Sequence, residues 1–361
     1  MTELRIADLF CGAGGLSFGL RQAGFTPVFA ADFDRHACAT YAHNLGAHVH
    51  QLDLATIDPN DLASLVREEC GTVDVVAGGP PCQGFSIQRR GTKTDSRNDL
   101  VLRFSTFATT LRPRAIVMEN VPTILGPRGK EFVEQVTSEW VEAGYSVHRA
   151  VLNAAEYGVP QLRRRAFIVG IRRDLDAVFS FPNPRLRPNE YKTVRDAIAD
   201  LPPPPRDFSE HPDFPNHRRV AASEINLERL SFVPEGGGRL DVPLHLQLPC
   251  HVNSNGHRHL DVFGRLWWER PAGTLTAMFD NFTRGRFAHP EQNRNITGRE
   301  GARLQSFPDH FEFLGPKKDV ARQIGNAVAP LMAQAVGEAL LEALVQSGRM
   351  AKEPRESIRL L

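Results

Sequence analysis

"DLFCGAGGLSFGL", Asp8 to Leu20, reads as the end of a strand, a glycine-rich turn and the start of a helix. Such a juncture belongs to an open α/β sheet, in which ligands bind outside the carboxyl ends of the strands. Gly12, Gly14 and Gly15 let backbone approach a ligand closely, because no Cβ stands in the way. Ser17 occupies the place of the third glycine of a dinucleotide fingerprint, which disfavours a nicotinamide cofactor. Asp32, about 20 residues beyond Gly12, lies where an acidic side chain meets ribose hydroxyls. Taken alone, the stretch fits a helix-capping turn and a solvated carboxylate equally well.

Working outward, residues 4–171 alternate apolar β-branched runs with amphipathic helical stretches, the pattern of a parallel sheet flanked by helices. The candidate strands are Leu4–Ala7, Val28–Ala31, His48–Leu52, Val73–Ala77, Ala115–Met118 and Ala166–Ile171. They predict a doubly wound sheet. The polar residues that interrupt the runs recur at strand ends: Asp8, Asp32, Asp53, Cys82 and Glu119, which are expected to line one crevice. Beyond Arg172, "FPNPRLRP", "LPPPPRDF" and "PEGGGRL" break the chain, and the alternation is lost between about 180 and 290, as in a second, loop-rich domain. From Val320, "ARQIGNAVAPLMAQAVGEALLEALVQ" predicts a strand or turn followed by a long helix from Pro330. The charged tail, 346–361, is expected to fray.

With 361 residues, 41% hydrophobic and 24% charged, the composition is that of a soluble globular protein with material for a large core. No stretch reads as apolar and long enough to cross a bilayer, and "MTELRIADLF" lacks the regions of a signal peptide, so a cytoplasmic protein is expected. Cys11, Cys38, Cys70, Cys82 and Cys250 are scattered, with no CxxC pair, which argues against disulfides and structural zinc. No metal is expected. Cys38 and Cys70 fall in helical segments and read as core. The net charge of +1 carries no global nucleic-acid signal, but "QRRGTKTDSR", "QLRRRAFIVGIRR" and "TRGRF" are locally basic, as a phosphate-tracking surface would be. Runs of this kind are more often solvated faces.

"GGPPCQGFS", Gly78 to Ser86, sets a cysteine behind two prolines and before a small polar loop. Pro80 and Pro81 fix φ, remove backbone donors and end the preceding strand, so Cys82 reads as presented. A free cysteine is as a rule a small buried hydrophobe, and this stretch alone leaves both readings standing.

Taken in order, "DLFCGAGGLS", "GGPPCQGFS", "MENVP", "QLRRRAFIVG", "REGARLQSFPD" and "IGNAVAP" resemble the motif series of the cytosine-5 DNA methyltransferases of prokaryotic type. The resemblance covers nearly the whole chain except about 180–265. It implies a Rossmann-like, S-adenosylmethionine-dependent methyltransferase sheet with a second, smaller and irregular target-recognition domain. It also implies a domain division into 1–180 (catalytic, donor-binding), 181–317 (target recognition), 318–345 (a segment returning to the catalytic domain) and the tail.

The same resemblance assigns roles. Cys82 matches the nucleophile that adds to C6 of cytosine, converting C5 into a carbon nucleophile. Glu119 of "MENV" matches the group that meets the charge arising near N3, a task that needs a raised pKa. Gln161, Arg163 and Arg165 match a Gln-x-Arg-x-Arg pattern whose second arginine contacts the target pyrimidine, and Arg163 joins the catalytic set. Asn120 is expected to support the strand end. For S-adenosylmethionine, Phe10 and Phe33 are assigned to the adenine faces, Asp32 to the ribose, Asp53 to the adenine amino group, and Gly12 and Gly14 to the methionine end. Leu100 would offer backbone contacts and Asn326 would close the pocket. Ala327 and Ser306 depart from the Ser and Gly usual at their places.

The partner implied is double-stranded DNA, with the target cytosine flipped out of the stack and the loop Gln83–Asn98 closing over it. Base reading falls to the irregular region, where "GRLWWERPAGTLTAMFDNFTRGRF" mixes arginine with aromatics that a packed core would explain equally well. A restriction-modification setting, a cognate endonuclease without stable contact, a monomer and nucleoid association complete the expectation. An RNA cytosine methyltransferase and a non-catalytic DNA-binding regulator on the same fold are the alternatives.

Overall fold

The computed structural model describes residues 3–81, 99–248, 252 and 260–350. Cys82, the loop Gln83–Asn98, Cys250 and the end of the tail lie outside the described residues.

The first half of the chain builds a sheet from β1 (Leu4–Leu9), β2 (Phe25–Asp32), β3 (Val49–Gln51), β4 (Val75–Gly78), β5 (Ala115–Asn120), β6 (Tyr145–Asn153) and β7 (Arg164–Arg172), in the order β3-β2-β1-β4-β5-β7-β6. The links from β1 to β5 run through α1 (Gly15–Gln22), α2 (Arg35–Leu45), α3 (Pro59–Cys70) and α4 (Asp99–Leu111), and α5 (Lys130–Glu142) leads to β6. The doubly wound expectation holds, with β1 to β5 pairing in parallel. The parallel pattern ends at β7, which runs antiparallel to both β5 and β6. The sequence reading also missed β6. Its Ser146, His148 and Arg149 are polar, and as an edge strand it buries little besides Tyr145 and Leu152.

Alternating side chains of the central strands feed two cores. Ile6, Val75 and Val117 face α1 and the C-terminal helix; Ala7, Val76 and Ile116 face α3, α4 and α5 with Phe104, Phe107 and Trp140. Cys38 and Cys70 are buried in α2 and α3, as expected of core residues.

Downstream lie α6 (Val194–Ile198), α7 (Glu224–Ser231), the short parallel pair β8 (Gly264–Arg265) and β9 (Arg286–Ala288), α8 (Gly298–Leu304), α9 (Lys317–Asn326) and α10 (Pro330–Met350). The strand or turn expected after Val320 is α9, a correction. Its apolar residues Val320, Ala321 and Ile324 take helical spacing and are buried. A further correction concerns the bilayer. The stretch Lys317–Val345 is by length and composition apolar enough to span one, but most of its most apolar 18-residue window is buried inside the fold, and α10 packs against α1.

That packing uses the glycines. A Cβ on Gly15 would stand 2.3 Å from the Val328 carbonyl oxygen and one on Gly19 2.4 Å from that of Pro330. Gly15 therefore serves close helix approach and not, as the motif alone suggests, a ligand. Gly19 does the helix-packing work that the missing glycine at position 17 would do in a dinucleotide site.

Several arginines of the loop-rich region turn inward, whereas Arg164, Arg173 and Arg284 of the basic runs are exposed. Arg265 donates from Nε to the Val233 carbonyl, from NH1 to those of His289 and Gln292 and from NH2 to that of Leu230. Arg299, with no exposed surface, reaches the carbonyls of Pro215, Pro308 and Phe311. Arg294 forms a two-pronged pair with Glu300, both bonds 2.7 Å. Arg286 lies over Trp267 and donates to the Gly236, Gly237 and Arg265 carbonyls. Trp268 is buried, whereas Trp267 is half-buried between Arg270 and Arg286.

Candidate active site

β4 and β5 end side by side, and two of the expected residues meet there. Glu119 is 8% exposed, and Arg165 Nε, arriving on β7, stands 2.9 Å from its Oε1. Burial raises the Glu119 pKa above the ordinary carboxylate range; Arg165 and Arg163 oppose the shift without cancelling it. A Cβ on Gly79 would stand 3.2 Å from Glu119 Oε2, so the backbone just before Pro80 lies against this carboxyl. Asn120 Nδ2 donates to the Pro80 carbonyl at 3.0 Å, and its Oδ1 accepts from the Val121 amide. The chain entering Cys82 is therefore tied to the strand that carries Glu119. Cys82 itself lies outside the described residues.

Arg163, expected in the catalytic set, is committed to backbone instead. It is fully buried, with NH1 donating to the Leu275 carbonyl (3.1 Å) and NH2 to those of Gly325 (3.0 Å) and Ala327 (2.8 Å). Burial and the like charge of Arg165 pull its pKa down, and Glu119 opposes them. Arg164, between the two, is exposed. Gln161 is equally buried; its Oε1 accepts from the Leu275 amide and its Nε2 donates to the Leu304 carbonyl. Backbone bonds between Leu162 and Ala272 and between Ala272 and Pro160 complete a seam joining the base of β7 to the segment around Leu275.

On the other side of β1, the glycine turn leaves open space. Gly12 has φ +53, and a Cβ there would meet nothing within 4 Å; Phe10, also at positive φ, is half-buried above it. Asp32 accepts from the Gly12 amide through Oδ2 and from the Asp34 amide through Oδ1, both at 2.9 Å, while burial raises its pKa. Phe33, 68% exposed, offers an uncovered aromatic face, Asp53 is exposed just past β3, and Leu100 lies in the first turn of α4. An open glycine turn, a carboxylate fixed by backbone donors and a bare aromatic face suit the amino-acid, ribose and base portions of a nucleoside donor such as S-adenosylmethionine. A Cβ on Gly14, also at positive φ, would strike Leu45 and Tyr41, so the turn requires glycine there. Asn326, exposed, ends α9 next to Ala327.

Asp8 does not line the crevice either. It is 1% exposed, its Oδ2 accepts from Ser17 Oγ (2.6 Å), and Ser17 in turn accepts from the Tyr41 hydroxyl (2.9 Å). Burial pushes its pKa from 3.8 to about 7. Nothing in the sequence marks this chain of contacts, since Tyr41 arrives from a different helix.

The strand-end carboxyl with its arginine partner and the open glycine turn lie at the carboxyl ends of strands of one sheet. Comparison with known proteins gives the family. The model of the C-5 cytosine-specific DNA methylase family matches residues 4–342, and the chain belongs to that family. The Type II methyltransferase M1.HphI of Haemophilus parahaemolyticus is 38% identical, covering 94% of this chain and 87% of the relative. M.NgoFVII of Neisseria gonorrhoeae is 36% identical over 90% and 83%. Among solved structures, a protein described as a DNA modification methyltransferase encoded within an Escherichia coli prophage superposes with a TM-score of 0.74 at 26% identity, covering 95% of this chain and 100% of that one. The chain is thus a DNA cytosine-5 methyltransferase with S-adenosylmethionine as methyl donor. Of the readings the motifs left open, the family match is to the DNA-methylating one.

Proposed function

We propose that Cys82 is the nucleophile, Glu119 the acid that answers charge on the ring and Arg165 the base-contacting arginine, acting on a cytosine flipped out of duplex DNA. The buried Glu119–Arg165 pair, against the Pro80 backbone that leads into Cys82, carries this reading. A thiolate adding to C6 makes C5 an enamine-like nucleophile, and S-adenosylmethionine, when bound, supplies the methyl electrophile. Loss of the C5 proton then expels the cysteine. A carboxyl whose pKa burial raises can place a proton or a strong hydrogen bond at N3 when the ring becomes electron-rich. Arg165 keeps that carboxyl oriented and presents donors to the pyrimidine carbonyl.

Phe10, Gly12, Asp32, Phe33 and Asp53 hold the donor, Leu100 adds backbone contacts and Asn326 closes the pocket. Gly14 shapes the turn, and Arg163 acts by position. Residues 1–180 with 318–345 form the catalytic body, 181–317 recognise the target and Gln83–Asn98 closes over the flipped base. The Type II relatives support a restriction-modification setting; within it we place a monomer acting in the cytoplasm at the nucleoid, with the endonuclease a separate protein.

The test is a covalent trap. DNA bearing 5-fluorocytosine cannot release the enzyme after methyl transfer, so a complex resistant to denaturant is expected for the wild type. None is expected for Cys82→Ala, and Glu119→Gln should form it roughly 10²-fold more slowly with DNA affinity little changed. Persistent trapping in Cys82→Ala moves the nucleophile elsewhere.

A further inference from the structure

Arg163 stands where three segments meet. Its NH1 holds the carbonyl of Leu275, and its NH2 holds the carbonyls on either side of Asn326, those of Gly325 and Ala327. The turn it grips has no room to adjust. A Cβ on Gly325 would lie 2.2 Å from the Thr276 carbonyl oxygen, and one on Gly15, at the start of α1, 2.3 Å from that of Val328. The 325–328 turn is thus wedged between the glycine turn of the donor side and the segment beyond Leu275. Two residues on, along the same edge of the chain, Arg165 faces Glu119. Gln161 gives a parallel link: it holds Leu275 and contacts Gln305, whose Nε2 donates to the Ile324 carbonyl.

We propose that Arg163 is a positioning residue that couples the two substrates. Its guanidinium fastens the turn carrying Asn326 to the strand carrying Arg165 and to the segment at Leu275, so that filling the donor pocket tightens the base pocket and the reverse. The inference rests on the assignment of Asn326 to the donor and Arg165 to the base. Its physical basis is that a buried guanidinium has no water with which to replace a lost carbonyl, so a displacement of one segment is passed to the others and not absorbed. Coupling of this kind is reciprocal by thermodynamic necessity. Arg299 supplies the contrast: it is as deeply buried and holds three carbonyls, but none of them, Pro215, Pro308 and Phe311, belongs to the 325–328 turn.

The experiment measures duplex affinity with and without S-adenosylhomocysteine, which cannot react, on full-length protein. The duplex carries the sequence found methylated in DNA of an expressing host by bisulfite sequencing. The wild type should bind roughly 10-fold more tightly with the nucleoside present, within the usual range of coupling. Arg163→Lys and Arg163→Ala should bring the ratio below about 2-fold, while Arg299→Lys lowers the melting temperature and keeps the ratio. A ratio preserved in the Arg163 variants, or absent from the wild type, overturns the inference. Should the variants fail to fold, hydrogen exchange on the wild type decides: duplex alone must slow the amides of 325–328, and unchanged exchange there also overturns it. The covalent trap reports separately on the chemistry, so loss of coupling and loss of the catalytic assignment are told apart.

Discussion

In the sheet layer, backbone satisfies backbone. β1, β2, β4, β5 and β7 exchange ladder bonds along their lengths, and their side chains divide between two apolar cores. In the region from about 180 to 310 the ordered strands are β8 and β9 alone among the described residues, and carbonyls that no ladder reaches are taken by arginines: Arg265, Arg286 and Arg299. Five donors in a rigid planar fork can join loop carbonyls from several directions, which a lysine cannot. The two regions therefore spend their polar side chains differently. A strand end leaves Glu119 and Asp32 available for chemistry because the framework beneath them is made of main chain. In the loop region the framework is itself made of side chains, so a basic sequence there is no measure of a basic surface.

The largest effect expected from this contrast is a change of target. Exchanging Arg185–Pro290 for the matching segment of a relative with another recognition sequence, while keeping Ala272–Leu275 and its seam to Pro160–Leu162, should transfer the sequence methylated, as bisulfite sequencing reads it. A folded chimera that still methylates the original sequence would place base reading in the sheet layer and erase the functional side of the contrast.

Next in size is Arg265→Met, which keeps the aliphatic stem and orphans the carbonyls of Leu230, Val233, His289 and Gln292. A loss of about 4 kcal/mol in urea unfolding is expected. A loss under about 1 kcal/mol would mean that the loops are held by something other than these forks.

Asp8→Asn sharpens the comparison from the sheet side. The folded pKa of Asp8 is about 7 against an ordinary 3.8, so the native state binds the extra proton between these values. Its contribution to wild-type stability is complete below about pH 4 and fades as pH rises through about 7. Asparagine has no proton to lose, so relative to wild type the variant should gain about 4 kcal/mol between pH 4 and pH 8. Parallel stability curves for the two proteins would show that Asp8 is already ionised in the fold.

The smallest effect belongs to Ser306→Gly. Ser306 holds φ +68, a conformation that costs a side chain roughly 1 kcal/mol, and its Oγ accepts from the Leu331 amide at 3.2 Å, a bond of similar worth. The two should cancel to within about 1 kcal/mol in thermal unfolding. A larger shift would show that one of them dominates.

Much of the site could be read directly. The strand-end rule located Asp32 and Glu119, and the motif order supplied the family. What escaped was set by partners distant in sequence. Arg163 reads as one more member of a basic run until Leu275 and Gly325 are seen around it. Asp8 reads as a crevice carboxylate until Ser17 and Tyr41 close over it. β6 breaks its apolar residues with Ser146, His148 and Arg149 and so does not announce an edge strand, and the reversal of β7 leaves no mark on its own residues.

By itself the sequence determined the α/β body, the family and the residue types that the chemistry requires, because strand period, glycine turns and proline-stiffened thiols are local consequences of backbone sterics. Tertiary structure alone decided which arginines face inward, that Gly15 and Gly19 serve a helix contact and that burial raises the pKa of Glu119. Those outcomes depend on which distant carbonyl, carboxylate or apolar surface arrives beside each group, and desolvation and hydrogen bonding act on that meeting and not on the residue type.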